Sequence, residues 1–143
     1  MSIQNYPHRY YHTVTFGELD ALKHVNNVVY FTYFENARIA YFFEAMGTNS
    51  LQELSLILAE ATCSYKTPAH FGEKLVIGTG VTRLGNKSFD LHHRIETEDG
   101  RLVAIGKTIQ VFFDYKTGKT IPLPENFIRK VNELQRNWQP EFN

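Results

Sequence analysis

FGELDALKHVNNVVYFTYFENARIAYFFEAM, residues 16–46, is the stretch on which the fold turns. Its first part, residues 17–27, lacks regular periodicity and is rich in polar and turn-forming residues. Its second part, residues 28–46, is apolar nearly all the way round a helical wheel. Tyr30, Phe34, Ala37, Tyr41 and Ala45 share one face, and Val28, Ile39, Phe43 and Met46 fall on the opposite one. A helix apolar on all sides is expected to be buried. About 19 residues interrupted by Glu35, Arg38 and Glu44 make a poor membrane span. The pattern therefore predicts a sheet wrapped around one central helix. Asn26 or Asn27 is expected to cap its start and Gly47 to follow its end.

The chemistry lies where that helix begins. Backbone N–H groups at a helix N-terminus lack intrahelical acceptors and carry about half a positive charge. Such donors suit an anion, or an oxyanion forming during acyl transfer. Asp20 precedes Asn27 by seven residues, close enough for the loop to fold a carboxylate beside those donors. By spacing alone Asp20 serves equally as the cap of a turn.

Composition narrows the field further. Fifteen Lys and Arg residues balance fifteen Asp and Glu in 143 residues, which gives no electrostatic case for nucleic acid or an anionic membrane. The length suits a single domain spanning 1–143. Cys63 is the only cysteine, so no internal disulfide forms, and its strand-like setting suggests a buried, inert thiol. No charged segment followed by an apolar one opens the chain, and no long apolar run follows, which predicts a cytoplasmic location.

Strands are expected over residues 6–16, 54–66, 74–84, 87–97 and 101–114, with a final helix over 125–137 carrying Phe127, Val131 and Leu134 as its apolar stripe. In the second strand Ile57, Ala59, Ala61, Cys63 and Tyr65 alternate onto one face, and Glu60 lies on the other as a second acid or a solvated carboxylate. In the fourth, Phe89, Leu91, His93 and Ile95 oppose Ser88, Asp90, His92, Arg94 and Glu96. In the fifth, Val103, Ile105, Ile109, Val111 and Phe113 share a face whose partner Gly106 interrupts. Gly78 and Gly80 mark a bend or a close backbone approach, and Gly85-Asn86 a hairpin turn. The basic turn Lys116-Thr117-Gly118-Lys119 is either solvated or a phosphate contact. His8 and His12, four residues apart, stand roughly 13 Å apart in a strand. Zinc ligands lie about 2 Å from their metal, so no metal is expected there. A strand, a buried helix and four further strands make an α+β protein with an antiparallel sheet.

The string Asp20-Ala21-Leu22-Lys23-His24-Val25-Asn26-Asn27, with Tyr30 and Glu35-Asn36-Ala37-Arg38 after it, resembles the D-x-x-G-H-V-N-N…Y…E-x-A-R signature of hotdog-fold acyl-CoA thioesterases of the 4-hydroxybenzoyl-CoA thioesterase-like group. Tyr65-Lys66-Thr67-Pro68 with Phe71-Gly72-Glu73, Leu84-Gly85-Asn86-Lys87-Ser88 and Ile121-Pro122-Leu123-Pro124 resemble later segments of the same pattern, in the same order. Lys23 stands where the pattern has Gly, and Ser64 where an acidic residue often precedes the Tyr.

The resemblance implies a hotdog fold, an antiparallel sheet curled around one long helix. It implies hydrolysis of an acyl thioester to a carboxylic acid and a thiol, with coenzyme A part of the substrate and no separate cofactor. Asp20 is then the catalytic nucleophile or general base, and the Asn27 backbone N–H polarises the carbonyl. His24 orients Asp20 or the substrate, or else is a loop histidine bonded to backbone. Tyr65, Thr67 and Pro68 line the substrate tunnel, and Lys87 and Ser88 lie near the coenzyme. The site is expected between the subunits of a homodimer or homotetramer, with acyl-CoA or an acyl-carrier-protein thioester as partner. Two other readings of the same fold are a dehydratase using His24 and an acyl-thioester binder without turnover.

Overall fold

A computed structural model describes residues 2–138. Six strands form one antiparallel sheet: β1 (His8–Thr13), β2 (Leu56–Tyr65), β3 (Lys74–Leu84), β4 (Ser88–Thr97), β5 (Leu102–Asp114) and β6 (Lys119–Thr120). Their order is β1-β3-β4-β5-β2, with β6 on the end of β5. Helix α1 (Val29–Met46) crosses the concave face, and α2 (Glu125–Leu134) closes one end. This is the curled sheet around a helix that the resemblance implies.

Helix α1 lies close to the sheet because one sheet residue has no side chain. A Cβ on Gly106 would sit 2.3 Å from the Phe34 ring. Beside it, His93 stacks on Phe34 at 4.9 Å and is held between the hydroxyls of Thr79 and Thr108. Gly47 ends the helix with φ +67, and Thr48 N–H returns to Phe43 O. On the convex face Gly78 and Gly80 admit the rings of Tyr6 and Trp138. Both faces of β4 are therefore covered, and His92 stacks under Tyr6.

Several expectations need correction. The helix starts one residue later, with Val28 rather than an asparagine at its N-cap. Asn26 satisfies the helix start from outside it, its Oδ1 accepting from Val28 N–H and its carbonyl from Val29 N–H. The helix is also buried on one face only. Tyr30, Tyr33, Phe34, Ala37, Arg38, Tyr41, Phe42 and Ala45 are inside, whereas Ile39, Phe43 and Met46 are half-buried. Strand β1 begins after Pro7 and is shorter than expected, because the chain turns at Phe16–Glu18 into a 3₁₀ helix. Helix α2 stops at Leu134, three residues early.

The alternation expected along β2 breaks at a bulge between Leu58 and Glu60. Before it Leu56 and Leu58 sit opposite Phe112 and Gln110, and after it Ala61, Cys63 and Tyr65 oppose Thr108, Gly106 and Ala104. One extra residue thus moves Ile57 to the convex face. In β5 the helix takes the face carrying Ala104, Gly106, Thr108, Gln110 and Phe112, all buried; Ile105, Ile109, Val111 and Phe113 are half-buried outside. Val103, expected to share the face of Ile105, Ile109, Val111 and Phe113, is instead fully buried beside a register shift in β4–β5.

Candidate active site at the head of the central helix

The loop before α1 is a closed hairpin. Leu19 and Val25 form a β-bridge, Asp20 N–H donates to His24 O, and Asn26 N–H donates to Glu18 O. Lys23 turns the tip with φ +68, the left-handed conformation for which glycine is the usual choice. The Lys23 N–H donates to Asp20 O, and Asp20 Oδ1 accepts from Leu22 N–H at 2.9 Å. Asp20 therefore does cap its own turn through Oδ1. Among the described residues no donor engages Oδ2.

Glu18, the loop's other acid, is fully committed. It accepts from Thr15 N–H at 2.8 Å, Tyr33 OH at 3.0 Å and His12 Nε2 at 2.9 Å. Burial pushes its carboxyl up, but the hydrogen bonds from His12, Thr15 and Tyr33 outweigh that and hold it below the ordinary carboxylate range. Glu18 ties the loop to β1 and α1 and is not a free base.

Next to this loop is a cleft of about 210 Å³. His24, Asn27, Tyr65, Thr67 and Pro68 all line it, together with Tyr30. Tyr65 OH donates to Asn27 O at 2.7 Å and its ring packs edge-on to Tyr30 at 5.1 Å. Burial, with Cys63 close by, pushes the Tyr65 phenol up to about 12, so it remains a donor at neutral pH. Thr67 Oγ1 donates to Leu102 O, and Val25 N–H to Ala69 O, which locks the two sides of the cleft together. His24 Nδ1 lies 3.4 Å from Val25 O. Asn27 is exposed, two residues ahead of the first helical residue, and among the described residues no acceptor takes its backbone N–H. Asp20 does not line the cleft itself; it pairs with His24, which does.

Lys87 and Ser88 lie elsewhere. Ser88 is opposite Val111 on β5, whereas Tyr65 is opposite Ala104. Seven residues of strand separate them, roughly 23 Å. Ser88 Oγ accepts from Arg83, and Lys87 O from Phe112 N–H. Glu60 opposes Ile109 on the convex face, away from the cleft. Cys63 faces the helix, and burial pushes its thiol up to about 11, against a hydrogen bond with Tyr65 that pulls the other way. His8 and His12 face separate carboxylates, Glu44 at 3.4 Å and Glu18 at 2.9 Å.

A second cavity, about 220 Å³, runs under the later turns of α1. Arg38 on its wall has no role in the sequence reading beyond closing the E-x-A-R string, although a cation four residues from Phe34 and Phe42, on the helix's most apolar face, marks it. No helix among the described residues is long and apolar enough to cross a membrane.

The fold and the sequence have solved and curated counterparts. A thioesterase from Thermus thermophilus, solved with coenzyme A and zinc, superposes with a TM-score of 0.85 at 29% identity, over 95% of this chain and 99% of that one. A gentisyl-coenzyme A thioesterase superposes with a TM-score of 0.77 at 26% identity, over 87% and 99% of the two chains. A putative esterase of Aquifex aeolicus (strain VF5) is 26% identical over 131 residues, which is 89% of this chain and 99% of the relative. The model of one family matches residues 14–131, and the chain belongs to that family, the thioesterase-like superfamily.

Proposed function

We propose that this protein is an acyl-CoA thioesterase whose reaction centre is the cleft at the head of α1. The observation that carries the reading is the Asn27 main-chain N–H, without an acceptor among the described residues, in a cleft beside the Asp20 loop. Membership of the thioesterase-like superfamily agrees with it, as do the relatives named for coenzyme A.

A thioester carbonyl needs a donor for the oxygen that becomes negative. The Asn27 N–H supplies it, and Tyr65, by fixing Asn27 O, keeps that backbone in place without reorganisation. The attacking group comes from the other side. Asp20 either removes a proton from water, whose oxygen then bonds to the carbonyl carbon, or attacks directly to give an anhydride that water opens. In both routes the tetrahedral centre collapses, the C–S bond breaks, and the thiolate leaves and takes up a proton. His24, bonded through its carbonyl to Asp20 N–H, aligns the loop with the cleft.

The complete site requires two subunits. Among the described residues strand β2 pairs only with β5, so ten residues of edge are left open, with Leu58 and Tyr65 over 40% exposed. A two-fold axis normal to the sheet would pair two β2 edges antiparallel, setting the Leu56 end against Tyr65 of the partner subunit. Ser88 and Lys87 lie at the Leu56 end of their own sheet, because Val111 opposes both Ser88 and Ile57. Dimerisation thus sets Lys87 and Ser88 at the same end of the joined sheet as the opposite subunit's cleft, two strands in from the shared edge, where a lysine suits a coenzyme phosphate. The test is thiol release from aromatic, short and long acyl-CoAs. Hydrolysis of at least one class is expected; no release from any would overturn the reading.

A further inference from the structure

The second cavity holds a guanidinium that its surroundings do not fully engage. Arg38 projects from the buried face of α1 and is 9% exposed. Around it are Phe42, Phe89, Leu91, Gln110 and Glu35. With the Gln110 amide turned so that its oxygen faces the guanidinium, Arg38 Nε donates to that oxygen at 2.7 Å, and the amide nitrogen donates to Ile57 O at 3.3 Å. Nη2 lies 3.5 Å from Glu35 Oε2, and Glu35 is 57% exposed at the rim. Among the described residues Nη1 has no partner. A guanidinium carries five N–H donors and stays charged. Nη1 is not among the buried atoms that lack a partner, so it opens to the cavity, where a ligand acceptor can reach it.

Place and size both fit an acyl group. About 220 Å³ exceeds a cavity known to hold benzene, about 150 Å³. Leu54, Leu56 and Leu58 form the cavity's outer wall, at the end of β2 that the proposed pairing sets against the partner subunit's cleft. An acyl chain leaving the thioester there enters this cavity and meets Arg38.

We propose that this cavity selects acyl groups ending in a carboxylate, the mono-thioesters of short dicarboxylic acids, with Arg38 as the specificity-determining residue. The proposal rests on the thioesterase reading above and on the two-subunit site. Arg38 pairs with the acyl carboxylate through Nη1 while Gln110 holds Nε and fixes the plane of the guanidinium. Glu35, mostly in water, turns outward as the second anion arrives. An acyl chain of the same length ending in a methyl group leaves the cation unpaired, and sites built to pair a polar group reject analogues lacking it strongly.

The experiment compares kcat/KM, read as thiol release, for succinyl-CoA and glutaryl-CoA against butyryl-CoA and valeryl-CoA, with the wild type and Arg38→Met. The wild type is expected to prefer the carboxylate members by tenfold or more, on the order of the discrimination such pairing provides. Arg38→Met should lose that preference, its kcat/KM for succinyl-CoA falling tenfold or more relative to its kcat/KM for butyryl-CoA. Should the variant fail to fold, the wild-type ratio alone decides. Equal or better hydrolysis of the methyl-ended members overturns the proposal and leaves the thioesterase reading standing. So does activity confined to other acyl-CoAs. Thiol release from no acyl-CoA at all overturns both.

Discussion

Glu18 shows what a single side chain does in this loop. Its carboxyl is held below its ordinary value in the folded protein, so it contributes stability above the unfolded-state value. That contribution is lost as pH falls through the lower, folded-state value. Glu18→Gln should cost about 1.5–3 kcal/mol at neutral pH, the usual range for hydrogen bonds to a charged group. In acid, where the wild-type carboxyl is protonated as well, the gap in melting temperature should narrow. A gap unchanged from neutral to acid pH would show that the charge of Glu18 is not what ties the loop down. The sequence made Asp20, His24 and Asn27 visible because they sit within eight residues of each other. It did not separate the roles of Glu18 and Asp20, since three of the partners that occupy Glu18 come from β1, α1 and the preceding turn. Lys23 departs from the family glycine yet adopts glycine's backbone conformation, so the loop keeps its shape at a local cost of roughly 1–2 kcal/mol.

Among the elements, α1 and the face of β5 beneath it are decided by one contact. Gly106→Ala places a methyl 2.3 Å from the Phe34 ring, in a packed core where the ring cannot retreat freely. A loss of about 1–3 kcal/mol is expected from overpacking. Phe34→Leu in the same chain should recover part of it, and chemical denaturation of the two single variants and the double measures that coupling. Fully additive losses would mean that the helix is not seated on Gly106. Helix α1 and strands β3 and β4 were legible because their periodicity is strong and their turns carry glycine. The faces of β2 and β5 were not. A single bulge reset the alternation of β2, and in β5 the β-branched residues point outward, because the large aromatic residues of α1 need small sheet residues beneath them. Propensity marked the strands; complementarity to the helix chose the face.

For the whole molecule, the open edge of β2 and the separation of Lys87 and Ser88 from the cleft point to the same arrangement. Light scattering should give a mass of at least twice the 16.6 kDa chain. A monomer that still hydrolyses acyl-CoA would rule out a site shared between subunits. The proposed sharing of the site between two chains was beyond composition and periodicity; the family resemblance suggested it, and the roughly 23 Å between Ser88 and Tyr65 along one sheet is the physical argument for it. Arg38 was visible as part of the E-x-A-R string, but not its cavity, for a related cause. Its surroundings are assembled from α1, β2, β4 and β5, and no spacing in the sequence brings those together.

The central claim is that Asp20 and the cleft beside it hydrolyse a thioester. The measurement that tests it most directly is the rate of thiol release by Asp20→Asn on the best acyl-CoA substrate, with the melting temperature recorded on the same sample. An asparagine Oδ1 can still accept from Leu22 N–H, so the loop should keep its shape and the melting temperature should move little. Loss of the nucleophile or base should lower kcat by about two powers of ten or more. Near-wild-type turnover by a folded Asp20→Asn variant would contradict the account.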